Sequence, residues 1–228
     1  MPILIDSNMP VAAKEKLRDY GDIIEFATEG ITYEAISGHP DIFFCPTPNE
    51  LIVAPNLPEK YFDFLHKVSI SFTLGKNPVG KIYPDSALYN SLVTHNLFIH
   101  NPTISDVTIQ KLAETQHAIK VKQGYVRCNL LALPNNSFIT SDKGIEKTLK
   151  QNNFEVLFVE STCVKLPGFD HGFFGGICGI NENVLFVNGS LSYFKEEEII
   201  RNFIAKANIR IVELFDGQPV DVGTILFL

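Results

Sequence analysis

A short apolar pattern recurs along the chain and constrains the fold more than any other feature of the sequence. In each copy, about four apolar residues follow a polar residue and precede Asn, Asp or Pro. The copies are Asn49–Asn56, Asn96–Asn101, Asn136–Asp142 and Asn183–Asn188. Apolar runs of this length between turn residues are typical of buried β-strands, and they are too short to span a bilayer. The pattern therefore predicts a series of short strands.

Similar segments surround each copy of the pattern. A further strand precedes each copy, predicted at Asp41–Cys45, Ala87–Leu92, Tyr125–Leu133 and Phe173–Ile180. A helix follows, most clearly at Ser141–Lys150, where Ser141 or Asp142 is placed to cap it, and at Lys195–Lys206. Another strand then closes each unit. The sequence therefore predicts four β-β-α-β units of about forty residues each.

The two ends of the chain together supply a fifth unit. Its first strand is Val220–Phe227, its second lies in Pro2–Asn8, its helix in Val11–Tyr20 and its closing strand in Asp22–Phe26. A buried terminal strand needs partners for its backbone groups, and pairing with the other terminus removes open edges. Residues 1–228 are thus predicted to form one domain, a five-bladed α/β propeller of ββαβ units with pseudo-fivefold symmetry.

The alternative is an ordinary doubly wound α/β sheet. In that fold most strands are followed directly by helices, whereas here strands come in adjacent pairs before each helix. The pairing of strands favours the propeller over the doubly wound sheet.

Charge and cysteine content narrow the function classes. The net charge of −7, from 19 basic and 26 acidic residues, favours a small cationic ligand and gives no basis for binding nucleic acid. The four cysteines lack C-x-x-C spacing, so no zinc or redox motif is predicted. The N-terminus has no signal-peptide pattern, and reduced thiols favour a cytoplasmic protein. No metal, cofactor or membrane contact is expected, and the oligomeric state stays open.

Polar residues lie near the start of the first strand of each unit, where a propeller would bring them to one axial mouth. These residues are His39 and Asp41 in the first unit, Asn90 in the second, Arg127, Cys128 and Asn129 in the third, Asp170 and His171 in the fourth, and Asp221 in the fifth. Buried polar groups are costly unless they are paired, and their convergence is what a binding pocket requires. Each of them is equally compatible with a turn or a structural hydrogen bond.

Five β-β-α-β units with paired termini resemble the pentein fold. That superfamily includes arginine deiminases, agmatine deiminases, dimethylarginine dimethylaminohydrolases and glycine amidinotransferases, and also a ribosome-associated translation initiation factor that is not an enzyme. The stretches SGHPDIFFC, YVRCNLLAL and LPGFDHGFFGGICGI further resemble an uncharacterised bacterial family within the superfamily.

The resemblance implies a particular set of catalytic groups. Penteins use a cysteine nucleophile near the C-terminus, a histidine acid/base and carboxylates that hold a guanidinium group. The corresponding C-terminal stretch here has no cysteine, and Asp221 or Val222 lies closest to its place. The histidine would fall at His171, which Asp170 precedes, while His39 and Asp41 lie near the position of a substrate-binding acid.

Two other cysteines are candidates for a displaced nucleophile. Cys128 follows Arg127, whose positive charge favours a thiolate, and Cys178 lies in a glycine-rich stretch. Both also fit the ordinary role of cysteine as a small buried hydrophobe. The candidate catalytic residues are therefore His171, Cys178 and Cys128. The candidate ligand-binding residues are His39, Asp41, Asn90, Arg127, Asn129, Asp170 and Asp221.

Three functions are consistent with these features. The first is binding of a small polar or cationic, guanidino-like ligand without the standard cysteine chemistry. The second is a cysteine-dependent hydrolase or transferase that acts on the C–N bonds of amidino or guanidino compounds. The third is a protein-interaction module without enzymatic activity. Fold alone does not decide among them.

Overall fold

Short strands and helices alternate throughout the chain, and the computed structural model describes all 228 residues. The strands are β1 Pro2–Asp6, β2 Asp22–Phe26, β3 Phe44–Pro46, β4 Leu51–Val53, β5 Phe72–Leu74, β6 Leu92–Val93, β7 Leu97–His100, β8 His117–Lys120, β9 Leu130–Ala132, β10 Phe138–Thr140, β11 Val156–Phe158, β12 Cys178–Asn181, β13 Val184–Val187, β14 Arg210–Glu213 and β15 Leu226–Phe227. The helices are α1 Val11–Leu17, α2 Pro40–Phe43, α3 Glu59–Lys67, α4 Val107–Leu112, α5 Val126–Asn129, α6 Lys143–Gln151 and α7 Glu197–Lys206.

The strands form five sheets of three strands each. Their orders are β15-β1-β2, β3-β4-β5, β6-β7-β8, β9-β10-β11 and β12-β13-β14. In every sheet the middle strand is antiparallel to the first strand and parallel to the third. The parallel pair requires a crossover, which helices α1, α3, α4, α6 and α7 supply. The predicted α/β class and its repeated β-β-α-β unit are confirmed.

The terminal strands pair with each other as the sequence predicts. Strand β15 runs antiparallel to β1, with Ile3 opposite Phe227 and Leu4 opposite Leu226. On the other side of the C-terminal segment, the backbone N–H of Ile225 donates to the carbonyl of Cys178 at 2.9 Å. The C-terminal segment therefore has backbone partners on both sides.

The first strand of each unit is shorter than predicted, because a helical turn precedes it. These turns are Pro40–Phe43, Asp85–Ala87, Val126–Asn129 and Gly175–Ile177. Short apolar runs do not distinguish a buried strand from a buried helical turn, and proline is favoured at a first helical position such as that of Pro40. In the C-terminal segment, only Leu226–Phe227 of the predicted Val220–Phe227 is strand. Several candidate residues thus lie on turns rather than on strands.

The chain divides into two compact units. The first comprises Met1–Ala27, Gly38–Pro40 and Cys128–Leu228, and the second comprises Thr28–Ser37 and Asp41–Arg127. The first unit contains three of the sheets and the second contains the other two. No helix of the chain combines the length and the apolar character needed to cross a membrane.

The first unit has two hydrophobic clusters that hold its sheets in place. In one cluster, Ile200, Phe203 and Ile204 of α7 pack with strand residues that include Leu185 and Val187. Their i, i+3, i+4 spacing is that of the buried face of an amphipathic helix. The other cluster joins Ile3, Ile5, Leu17, Phe186 and Ile225, among others. Burial of each such side chain contributes about 1.5–3 kcal/mol, so both terminal strands are firmly anchored.

Candidate functional site

His39 lies in the first unit between two buried carboxylates. Its Nε2 atom is 3.7 Å from Oδ2 of Asp6, and its Nδ1 atom is 3.9 Å from Oδ1 of Asp221. Both distances exceed those of hydrogen bonds but are short enough for a strong electrostatic interaction with a protonated imidazole. The Nδ1 atom is buried and has no hydrogen-bond partner. Such an atom is available to accept or donate a proton.

Backbone amides hold the carboxylate of Asp221 in position. Its Oδ2 accepts the N–H of Phe173 at 2.8 Å, and its Oδ1 accepts the N–H of Gly223 at 3.0 Å. Gly223 has a φ of +63° and its backbone lies so close to His39 that a Cβ would overlap the Cβ of that histidine. Gly176 similarly packs against the Asp221 carboxylate, which a Cβ would overlap. Position 223 therefore requires glycine, and a side chain at position 176 would displace the Asp221 carboxylate.

Asp6, the second carboxylate, is a residue that the sequence did not single out. It ends β1, and its Oδ1 accepts the N–H of Asn8 at 2.6 Å. Burial raises the pKa of Asp6, while the charge of His39 and the Asn8 N–H oppose this increase in part. Its position in the sequence could have identified it. Asp6 directly follows the apolar run of the fifth unit, where the other copies of the pattern have their Asn, Asp or Pro.

The thiol of Cys128 lies close to His39. Its Sγ atom and a ring nitrogen of His39 lie within 4.8 Å of each other. Cys128 is 3% exposed and His39 2%, and the flanking Asp6 and Asp221 are 3% and 4% exposed. A thiol beside an imidazole is the arrangement in which proton transfer produces a nucleophilic thiolate. The first unit thus places a thiol, an imidazole and two carboxylates together in a buried environment.

Cys178, the other candidate nucleophile, is fully buried on β12, where it pairs with Val187. Burial raises the pKa of its thiol strongly, and the negative charge of Asp221 adds to the increase. A thiol with a raised pKa is a poorer nucleophile at neutral pH, and a catalytic role of Cys178 stays a prediction. The four cysteines are free thiols.

His171 and Asp170 lie in a loop of the first unit. The Nδ1 atom of His171 is 2.9 Å from the carbonyl oxygen of Gly172 and 3.2 Å from the hydroxyl of Ser161. Asp170 is exposed and forms neither a hydrogen bond nor an ion pair with His171. The contacts of His171 are therefore made within the loop. A role of His171 or Asp170 in catalysis or ligand binding stays a prediction.

Asn129 belongs to a small polar network in the first unit. Its Oδ1 accepts the hydroxyl of Ser141 at 3.3 Å, and that hydroxyl accepts the N–H of Phe174 at 3.3 Å. Asn129 is almost completely buried. The network joins the turn that carries Cys128 to the start of the fourth predicted unit.

The remaining candidates, Asp41, Asn90 and Arg127, belong to the second unit. Asn90 connects them, since its Nδ2 donates to the carbonyl of Asp41 at 3.2 Å and its own carbonyl accepts the N–H of Arg127 at 3.3 Å. The charges of Asp41 and Arg127 both act on the thiol of Cys45. Burial raises its pKa to about 12, Arg127 lowers it and Asp41 raises it further. Three predicted ligand-binding residues therefore meet within this unit.

Comparisons with known proteins agree with the fold. The model of a family of unknown function, DUF6873, matches residues 4–226. No curated protein matches the sequence. A mutant of DDAH from Pseudomonas aeruginosa complexed with citrulline is 8% identical, with a TM-score of 0.55 over 93% of this chain and 91% of the other. SxtG, an amidinotransferase from Microseira wollei in the saxitoxin biosynthetic pathway, is 9% identical, with a TM-score of 0.53 over 93% and 87%. Both are members of the pentein superfamily, so the predicted resemblance is confirmed at the level of the fold.

Proposed function

The chain belongs to DUF6873, a family of unknown function, and we propose that it catalyses thiol-dependent chemistry at a C–N bond of a small cationic compound. Cys128 is the nucleophile and His39 transfers protons, while Asp6 and Asp221 hold the imidazole and offset its positive charge. The observation that carries this proposal is the approach of Cys128 Sγ and a His39 ring nitrogen to within 4.8 Å, beside two buried carboxylates.

The substrate class that fits these groups is an amidino or guanidino compound. Its central carbon is electrophilic and its cationic nitrogens are attracted to carboxylates. The net charge of −7 favours the approach of such a cation. Two proteins of the same fold support the choice, because one is complexed with citrulline and the other is an amidinotransferase.

The reaction would proceed in two stages. In the first, the thiolate of Cys128 forms a bond to the central carbon, the C–N bond breaks, and the leaving nitrogen takes a proton from His39. In the second, water adds to the same carbon while His39 takes its proton, and the S–C bond breaks to restore the thiolate. Transfer to an amine in place of water would make the protein an amidinotransferase.

Binding without chemistry is the second candidate. Each oxygen of the Asp221 carboxylate already accepts a backbone N–H, and His39, Asp6 and Cys128 are at least 97% buried. Such an arrangement could hold a cation without releasing a product. The predicted contributions of Asp41, Asn90, Arg127, Asn129, Asp170, His171 and Cys178 to ligand binding or catalysis belong to either function as proposals.

Thiol alkylation and product analysis together test the proposed function. We expect iodoacetamide at neutral pH to modify Cys128 at a rate that a bound guanidino compound slows, and Cys128→Ser to abolish conversion of guanidino to ureido groups. Cys163, which is only half-buried, is the internal control because a ligand at His39 should not protect it. An inert Cys128 together with thermal stabilisation by guanidino compounds would instead support binding alone. An inert Cys128 without stabilisation would refute both functions.

We further propose that residues 1–228 form a single domain in which the five sheets close into a propeller, sealed by the pairing of β1 with β15. Two observations support this proposal: the antiparallel pairing of Ile3 with Phe227, and the similarity in fold to two penteins over most of the chain. A single cooperative unfolding transition is the expected result by calorimetry and by circular dichroism alike. Two separate transitions would contradict it.

A further inference from the structure

A cavity of about 420 Å³ lies beside β14 in the first unit, and its lining includes neither His39 nor Cys128. We call it the β14 cavity; its polar lining consists of Lys16, Tyr20, Ser190, Arg210, Glu213 and Asp216. This volume is within the range of small-molecule pockets in proteins.

One wall of the cavity is the free edge of a sheet. β14 is the last strand of the order β12-β13-β14, so one of its sides has no neighbouring strand. The N–H of Arg210 points towards β13 and donates to the carbonyl of Asn183, so the peptide groups of the alternate residues Ile211 and Glu213 face outwards. The Nζ atom of Lys16 donates to the carbonyl of Glu213 at 2.7 Å. This bond fixes the lysine charge against the edge.

Charges of both signs line the cavity without neutralising one another. Lys16, Arg210 and Asp216 form no ion pair within 4 Å, either with each other or with any other residue. Glu213 differs, because its Oε1 accepts the N–H of Leu191 at 2.6 Å and a guanidinium N–H of Arg201 at 2.8 Å. The β14 cavity thus offers two positive charges and one negative charge to a ligand.

This charge pattern selects among classes of small molecule. A simple cation is repelled by Lys16 and Arg210, and a simple anion leaves Asp216 without a partner. A zwitterion satisfies all three groups, because its carboxylate matches the fork of a guanidinium and its ammonium matches a carboxylate. Tyr20 and Phe215 supply aromatic walls for an aliphatic stem.

We infer that the β14 cavity binds a small zwitterion, a molecule that carries a carboxylate and an ammonium group, as amino acids do. The carboxylate lies against Lys16 and Arg210, and the ammonium lies against Asp216. This inference is independent of the proposed thiol chemistry, since no residue is shared between the two sites.

Calorimetric titration of the full chain with a series of ω-amino acids tests the charge spacing. The probes are glycine, β-alanine, 4-aminobutyrate and 6-aminohexanoate, with acetate and methylammonium as single-charge references. We expect one length to bind at least about tenfold more tightly than either reference, since each charge-assisted hydrogen bond is worth about a factor of ten. Equal binding of acetate would identify a plain anion site, and no binding by any probe would also overturn the inference.

Substitutions test whether the zwitterion binds in the β14 cavity. In Asp216→Asn, the affinity for the best zwitterion should fall to that for acetate, and Arg210→Gln should weaken both ligands by about tenfold. Arg18→Gln and Asp19→Asn make the same charge changes at the end of α1 without lining the cavity, and both should bind normally. Normal binding by the two cavity variants would refute the assignment. Loss of binding in Cys128→Ser would place the zwitterion at the thiol site and also refute it, whereas an unreactive Cys128 would affect only the proposed function.

Discussion

Replacement of Asp6 by asparagine separates the electrostatic role of this residue from a purely structural one. Asparagine has the same shape, and its side-chain oxygen still accepts the N–H of Asn8, so the main loss is a negative charge 3.7 Å from Nε2 of His39. At about 4 Å and an effective dielectric constant of about 20, that charge stabilises an imidazolium by up to about 4 kcal/mol. When Cys128 gives its proton to His39, this stabilisation favours the thiolate.

We therefore expect Asp6→Asn to slow alkylation of Cys128 at pH 7 by at least about tenfold, which corresponds to about 1.4 kcal/mol. The assay is the second-order rate constant with iodoacetamide, measured by mass spectrometry on each cysteine peptide. The matched control is Asp142→Asn, which changes a carboxylate that accepts the N–H of Ile145 at the start of α6. The control should leave the rate unchanged.

The same substitution should stabilise the fold at neutral pH. Burial raises the folded-state pKa of Asp6 above its unfolded value, so its contribution to stability is full below the unfolded pKa and is lost as pH rises through the folded pKa. Ionisation of Asp6 in the folded state is therefore a net cost to stability, and asparagine removes the ionisable group. An unchanged alkylation rate, or a loss of stability at pH 7 in urea unfolding, would refute this reasoning.

Three further predictions concern the fold and the geometry of the site. His100 is buried with its Nδ1 unpaired, and burial lowers its pKa from 6.5 to about 4. The free energy of unfolding in urea should therefore fall by about 3 kcal/mol as the pH falls from 6.5 to 4. The variant His100→Phe should not show this pH dependence. Deletion of Ile225–Leu228 removes the strand that pairs with β1, together with the side chains of Ile225 and Leu226, which are 2% exposed. The free energy of unfolding should fall by about 3–6 kcal/mol. An unchanged melting temperature would contradict the anchoring of this segment. Gly176→Ala should displace the Asp221 carboxylate and slow alkylation of Cys128, and a wild-type rate would mean that Asp221 does not support His39.

The repeat was predictable because it depends on local patterns. Runs such as Asn183–Asn188 carry their own turn residues, and five sheets with the predicted connection order follow from them. The pairing of the termini was predictable for the same reason, since a buried strand such as Ile225–Leu228 needs backbone partners. The helical turns were missed, because an apolar run as short as Asp41–Cys45 has no period that separates a turn from a strand.

The candidate site was harder to predict from the sequence than the fold. Asp6 reaches His39 only through three-dimensional packing of segments that lie far apart in the chain, and no spacing records that proximity. Cys128 and Cys178 both belong to the predicted first strand of a unit, yet one lies near an imidazole while the other lies in a sheet beside a negative charge. These three-dimensional surroundings distinguish the two thiols, and they do not follow from local composition.

The position of His39 between Asp6 and Asp221 has a consequence for biosynthesis. The ribosome makes Asp6 among the first residues of this segment, and 214 further residues separate it from Asp221. A nascent chain that has not yet exposed Asp221 therefore lacks one of the two carboxylates and cannot hold the imidazole in its final setting. The thiol of Cys128 emerges well before that moment, so the protein acquires the complete arrangement around His39 only when translation has passed residue 221.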